Sequence, residues 1–237
     1  MKRLFLVLSF IIIAQSASAQ LFSTDKILNN ENVDKQKWSW GYFLGFNSYD
    51  FNFDYKEDLK DIQTTKTLGF NVGLIGNMRI NEFLDLRLEP GLFITRRDLN
   101  YDPSYFNGLS YNDSDLLREV RSTYIHIPLL LKFSTKRLNN FKPFIVGGFS
   151  TAINLSSNQD NPDDNANGQF RTKSSMVFYE LGVGIDLFFP WFKFTPSVRG
   201  VFALNDEIIK DTDPNSPWTG NIVSMQTRGL FINFTFQ

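Results

Sequence analysis

Hydrophobic and polar residues alternate one by one over many short segments of this chain. In "FLDLRLEPGLFI", residues 83–94, leucine holds every even position from 84 to 88, whereas the odd positions hold Asp85, Arg87 and Glu89. A period of two residues is the signature of a β-strand with one apolar and one polar face. The segment is therefore predicted to be a strand that separates two environments.

Eight such segments follow one another, and short and long connections alternate between them. The tight connections are "RINEF", "STKRLNN" and "FFPW", and each lies between long polar excursions. Long loops outside the cell and tight turns in the periplasm are typical of outer-membrane barrels. The predicted strands are Trp38–Asn47, Leu68–Ile80, Phe83–Thr95, Ser122–Phe133, Phe141–Leu155, Met176–Phe188, Phe192–Ala203 and Ile222–Phe236.

This pattern predicts an all-β fold, a transmembrane antiparallel β-barrel of eight strands in an up-and-down meander. Closure into a barrel leaves no unpaired sheet edge in lipid. The protein is expected in the cell outer membrane, with both termini periplasmic and with lipid around the barrel. The fifth and eighth strands alternate less cleanly near their outer ends, so their registers there are left open.

The polar parity places a set of charged side chains inside the barrel. An eight-stranded barrel is only wide enough for side chains to fill its interior, so we expect these charges to pair across the lumen. Lining of a conducting pore is the alternative. The predicted interior charges are Asp85, Arg87, Glu89, Glu180, Asp186, Lys193 and Arg199.

A soluble lipocalin-like barrel is the rival architecture, because it also has eight alternating strands. It would place the apolar residues inside and the polar ones outside. The asymmetry of the loops and the three charges on one short strand argue against it. Burying those charges in a dry cavity would cost several kcal/mol each unless they were paired.

The beginning of the chain has the features of a signal peptide. Lys2 and Arg3 precede the apolar run "LFLVLSFIII", and "ASA" resembles a cleavage site. We expect a signal peptide over residues 1–19, a periplasmic N-terminal segment over 20–37 and the barrel domain over 38–237. The apolar run is shorter than the ~20 residues that a membrane-spanning helix needs.

Composition narrows the possible partners. The net charge is −1, and lysine and arginine are scattered singly, so no basic stripe for nucleic acid is present. The chain has no cysteine, so an exported form must be stable without disulfides. Trp38, Trp40 and Trp191 are expected in the periplasmic aromatic girdle, with Trp218 near the opposite rim.

Candidate catalytic and metal residues are few. His126 lies on the parity expected to face inward, with no serine or carboxylate at a recognisable motif spacing. We therefore expect no catalytic, cofactor or metal site and no small-molecule substrate, although a lipid-modifying barrel enzyme stays open. Two loops match a calcium-loop pattern in part and are expected to be solvated acidic loops. The matching residues are Asp163, Asn165, Asn167 and Gly168 in one loop, and Asp211, Asp213 and Asn215 in the other.

Four blocks of the chain resemble those of the PorT family, also called SprT. They are "QKWSWGYFLGFNSYDFNFDY", "LRLEPGLFITRR", "RSTYIHIPLLLKFSTKRLNNFKPFIVGG" and "YELGVGIDLFFPWFKFTPSVRG". The resemblance covers most of the chain that follows the predicted signal peptide. It implies an outer-membrane component of the type IX secretion system, which exports proteins bearing a C-terminal signal domain and, in gliding bacteria, surface adhesins. The family has no catalytic residues to carry over.

The sequence thus predicts an accessory or assembly factor of type IX secretion that works by contact with other components of that system. The alternatives are a small general-purpose barrel, structural or weakly porin-like, and a barrel enzyme acting on lipid.

Overall fold

The computed structural model describes residues 28–237, so the predicted signal peptide lies outside the described residues. Ten β-strands and four short 3₁₀ helices make up this part of the chain. The strands are β1 (Trp38–Tyr55), β2 (Gln63–Lys66), β3 (Leu68–Arg79), β4 (Leu84–Leu88), β5 (Gly91–Asn100), β6 (Leu117–Ser134), β7 (Phe141–Asn154), β8 (Ser175–Phe188), β9 (Lys193–Ala203) and β10 (Ile222–Phe236).

The strands form one antiparallel meander that closes on itself. The second barrel strand consists of β2 and β3, and the third consists of β4 and β5, which leaves eight strands around the ring. β10 pairs with β1 from the Tyr42–Phe236 pair onward, and this ladder closes the barrel. The predicted eight-stranded up-and-down barrel is confirmed.

The third barrel strand is interrupted at Glu89 and Pro90. The register against β6 is the same on both sides, with Leu88 opposite Leu129 and Gly91 opposite His126. Proline has no N–H to donate to a ladder, so the break is a local loss of pairing. The strand keeps its alternation through the break.

Several strands are longer than the sequence predicted. β1 continues to Tyr55, β5 to Asn100, and β6 begins at Leu117; β2 was not predicted. On β1 the extension keeps the alternation but reverses its polarity, with Phe51 and Phe53 inside and Asn52 and Asp54 outside. The barrel therefore rises beyond its apolar band.

The outer surface of the barrel is apolar, and the interior holds the charged side chains together with aromatic ones. Leu74, Phe149 and Leu181 are 65%, 65% and 61% exposed, whereas Arg87 and Glu180 are buried. This is the reverse of a soluble lipocalin-like barrel, and it matches a wall surrounded by lipid.

The two ends of the barrel differ. The short-turn end carries the turns 80–83, 135–140 and 189–192, and the long-loop end carries the connections 56–62, 101–116, 155–174 and 204–221. Both ends of the described chain lie at the short-turn end, because Trp38 pairs with Met78 beside the first tight turn and Phe236 pairs with Phe194 beside the turn 189–192. No described helix is both long and apolar enough to cross a membrane.

Candidate functional site

A chain of charged side chains crosses the middle of the lumen. Arg199 Nη2 lies 2.9 Å from Glu89 Oε2, and Arg87 Nη2 lies 3.0 Å from Glu89 Oε1. Arg199 Nε is 3.1 Å from Glu180 Oε2, an ion-pair distance without hydrogen-bond geometry. His126 Nε2 is 2.7 Å from Glu180 Oε1. All five side chains are buried, so a continuous network of arginine–glutamate ion pairs crosses the lumen and His126 lies at its end.

A second charged group lies nearer the short-turn end. Lys132 pairs with Asp186, and Thr195 Oγ1 donates a 2.8 Å hydrogen bond to the same carboxylate. Asp85 and Lys193 are also buried. All seven charged residues that the alternation predicted inside the barrel are therefore buried.

Aromatic rings fill the lumen around His126. Its ring lies 4.8 Å from that of Phe93 and 5.6 Å from that of Phe178, measured between ring centroids, and Phe231 approaches edge-on. Nδ1 of His126 is buried and has no hydrogen-bond partner. The imidazole is thus packed between aromatic rings and paired with Glu180.

Arg97 forms the next layer toward the long-loop end. Its guanidinium donates to the hydroxyls of Thr227, Ser122 and Tyr124 at 2.7, 2.8 and 3.0 Å. It also stacks 3.8 Å above the Phe51 ring. The side chain is fully buried, so this arginine fills the lumen and ties three strands together.

An apolar cluster closes the long-loop end above Arg97. Strand residues and loop residues meet there and exclude water from the mouth of the barrel. The cluster consists of Phe51, Ile62, Leu99, Tyr101, Tyr105, Phe106, Val120, Phe170, Ile208, Ile222 and Met225.

The loops 155–174 and 204–221 are joined by Asn165 and Asp211. Asn165 Nδ2 donates to Asp211 Oδ1 at 3.0 Å, and its backbone N–H donates to the same oxygen at 3.2 Å. Both residues are buried, so the expectation that these loops are simply solvated is wrong at this point. Asp163 and Asn167, also part of the calcium-loop match, bond to each other. The described residues contain no group of three acidic, histidine or cysteine residues suited to a metal ion.

The tryptophans divide between the two ends. Trp38, Trp40 and Trp191 are 51%, 70% and 91% exposed at the short-turn end, as the girdle prediction requires. Trp218 is at the long-loop end but packs into the loops, where its Nε1 donates to Asp115 O at 2.9 Å and Arg118 lies 4.4 Å above its ring. The expectation that Trp218 is a girdle residue is wrong, because its indole packs against and bonds to another loop.

The loop residue Glu207 carries a buried carboxyl at the top of the lumen. Burial raises the pKa of Glu207 above its usual value, and the Arg97 guanidinium, 4.0 Å away, opposes the rise. Tyr124 Oη lies 3.4 Å from the carboxyl. The docked state of loop 204–221 therefore favours the protonated carboxyl of Glu207.

The alternation of apolar and polar residues did not predict the interior residues nearest the long-loop end. Arg97 continues the odd-numbered alternation that includes Arg87 and Glu89, so extending the third strand past Thr95 would have found it. Glu207, Asn165 and Asp211 lie in loops without periodicity, and no local signal marks them.

Comparison with known proteins agrees with this geometry. A family model described as an outer membrane protein β-barrel domain matches residues 14–208. This chain belongs to that family. It is therefore an outer-membrane β-barrel protein of the small-barrel type, located in the outer membrane. No curated protein sequence matches it.

Solved structures of small outer-membrane barrels resemble this barrel. OprG from Pseudomonas aeruginosa has a TM-score of 0.50 at 14% identity, covering 83% of this chain and 94% of that one. Neisserial surface protein A has a TM-score of 0.43 at 11% identity, covering 84% and 98%. At these identities the likeness to OprG shows the fold alone.

Proposed function

We propose that this outer-membrane barrel is an accessory or assembly factor of the type IX secretion system that acts through protein contacts. The proposal that the protein acts by contact rests on one observation, namely that side chains fill the lumen. Among the described residues, the Arg199–Glu89 bridge crosses the lumen and the apolar cluster around Phe106 covers its long-loop end. The assignment to type IX secretion rests on the four PorT-like sequence blocks.

A barrel of this width is too narrow for a folded protein. If it belongs to the pathway, it must help another component to assemble or to open. We propose that the short-turn end and both termini face the periplasm and that other secretion components contact the barrel there.

Removing the gene tests this role. We expect proteins with C-terminal signal domains to accumulate inside the cell, while uptake of a small dye through the outer membrane stays normal. Altering the turn 135–140 and deleting the loop 156–173 in separate strains would assign the contact to one end. Normal secretion in the gene-deletion strain would end the proposal.

The second candidate is a structural outer-membrane barrel without a secretion role, favoured by the match to the general family model. In that case deletion would weaken the envelope to detergents and leave secretion intact. We propose no catalytic role for either candidate.

The conservative variant His126→Gln tests for catalysis, because glutamine retains a group that donates to Glu180. We expect secretion at the wild-type level once it is normalised to the amount of folded barrel. A secretion defect in a fully folded His126→Gln protein would point to an enzyme.

A further inference from the structure

The barrel wall splits between its first two strands at the long-loop end. β1 pairs with β3 from Trp38 up to the Ser48–Leu68 pair. Beyond Ser48, β1 continues to Tyr55, but no ladder among the described residues joins it to β2. We call the opening between residues 49–55 and 61–66 the seam.

The seam arises because the two strands follow different neighbours. β1 stays with β10, where Asn52 is opposite Gln226. β3 and β2 both pair with β5, but the register of the second ladder is shifted by one residue at Thr67. Phe70 of β3 is opposite Ile94, whereas Lys66 of β2 is opposite Arg97. An extra residue of this kind bends a strand and increases its twist. The second barrel strand therefore turns away from β1.

Side chains cap the exposed edges of the seam. Asp50 Oδ1 accepts a 2.9 Å hydrogen bond from the N–H of Phe51, and the Tyr55 hydroxyl accepts one of 3.0 Å from the N–H of Ile62. At the base, Asp50 lies 3.0 Å from the Lys66 ammonium group. The N–H groups of Phe51 and Ile62 thus donate to side-chain oxygens. The backbone carbonyls of another strand can replace these oxygens as acceptors.

A cleft of about 460 Å³ opens along the seam. Phe51 and Ile62 line it and belong to the buried apolar cluster, while Asn52, Thr64 and Lys66 supply its polar walls. Successive side chains of a strand point to opposite faces. A strand with alternating apolar and polar residues matches this lining.

The seam lies beyond the apolar band of the outer wall. Phe46 and Leu68 are 45% and 73% exposed and are the last outward apolar residues on the two strands below it. Asn52 and Gln63 follow on the outward side. A polar opening above the lipid-facing surface suits a polypeptide better than a hydrophobic compound arriving from the bilayer.

The described N-terminal segment of the chain does not fill the seam. Asn29 donates from its backbone N–H to Asn140 Oδ1 at 2.9 Å and from Nδ2 to Phe188 O at 3.2 Å. These contacts hold residues 28–37 at the short-turn end, the opposite end of the barrel.

We propose that the seam is a β-augmentation site, in which an extended segment of another protein adds as a strand between β1 and β2. Main-chain hydrogen bonds to a sheet edge provide affinity, and pockets for alternate side chains provide selectivity. The apolar side chains of the segment pack toward Phe51 and Ile62. This site does not depend on a role in type IX secretion.

Photocrosslinking in living cells tests the occupant. A photoreactive amino acid replaces Asn52 in one variant and Thr64 in another, and Arg121, exposed on the continuous β5–β6 wall, is replaced in the control. We expect both seam variants, and not the control, to capture the same short segment of one polypeptide, because an inserted strand touches both edges. Adducts with lipid or lipopolysaccharide, adducts with unrelated segments, or no polypeptide adduct would overturn the proposal.

Hydrogen exchange then tests the geometry, with a synthetic copy of the captured segment as the probe. We expect the peptide to slow exchange over residues 49–55 at least tenfold in the purified barrel. Bridging the seam with a bifunctional thiol reagent between Asn52→Cys and Gln63→Cys should abolish this protection, and the chain has no cysteine of its own to interfere. The matched control bridges Thr151→Cys and Val177→Cys, opposite residues of β7 and β8. Protection that survives bridging of the seam, or that never appears, would contradict strand addition.

Discussion

Arg199 on β9 is bonded at 2.9 Å to Glu89, which lies in the third barrel strand on the diametrically opposite wall. In a ring of eight strands these two walls are four strands apart in either direction. One ion pair therefore spans the full width of the lumen, and together with Glu180 it links three strands.

Replacing Arg199 with leucine should destabilise the barrel strongly. Glu180 and Glu89 would each lose a cationic partner in a buried site, and breaking a buried pair costs about 3–5 kcal/mol. Arg87→Leu should cost less, because Glu89 keeps Arg199. The midpoint of unfolding, followed by the gel shift between folded and boiled protein, measures both. Arg121→Leu, at a side chain that is 73% exposed, is the control and should change little. Equal midpoints for Arg199→Leu and Arg121→Leu would mean that the lumen is hydrated.

The purified protein should show no stable large conductance in planar bilayers. The charged network and the loop cluster close the lumen at two levels. The double variant Arg199→Ala with Glu89→Ala should therefore still conduct poorly, because the cluster around Phe106 and Met225 remains. Steady porin-sized openings of the wild-type protein would support the porin-like alternative instead.

The docking of loop 204–221 should weaken as the pH rises. Burial raises the pKa of Glu207, so the docked state favours the protonated carboxyl. The resulting stabilisation is fully present below the ordinary glutamate pKa and is lost as the pH rises through the raised value. Hydrogen exchange in residues 204–221 should be faster at pH 8 than at pH 5, after correction for the intrinsic pH dependence of exchange.

Glu207→Gln should remove this extra pH dependence, because the amide does not ionise. Glu119→Gln, a change at a side chain that is 30% exposed on the outer wall, should leave it unchanged. A pH response that persists in Glu207→Gln would assign the effect to another group.

Gly45→Ala should impair assembly of the barrel. A Cβ at this position would meet the side-chain oxygen of Asn233 and the carbonyl of Ile232. Asn233 belongs to a buried chain of amides, in which Asn47 donates to Asn71 at 2.6 Å and Asn71 donates to Asn233 at 2.7 Å. Overpacking of this kind typically costs about 1–3 kcal/mol.

The yield of folded barrel after refolding into detergent measures the effect of Gly45→Ala. Gly147→Ala is the matched control, because a Cβ there meets first the flexible end of Leu181. Similar yields for the two alanine variants would show that the amide chain adapts.

Residue alternation by itself determined the strands and their two faces. Whether a side chain of a strand points in or out depends on its position relative to its immediate neighbours, so Asp85, Arg87 and Glu89 could be placed from twelve letters of sequence. The tight turns were equally local, because few residues connect neighbouring antiparallel strands. The eight-stranded meander follows from these two local properties.

Only the tertiary structure decided which groups meet. Glu89 and Arg199 are 110 residues apart, and closure of the ring brings them into contact. Asn165 and Asp211 meet because two loops without periodicity pack over the barrel mouth. The seam depends on a register shift of one residue at Thr67, which pairing with β5 reveals and which no local hydrophobic pattern marks.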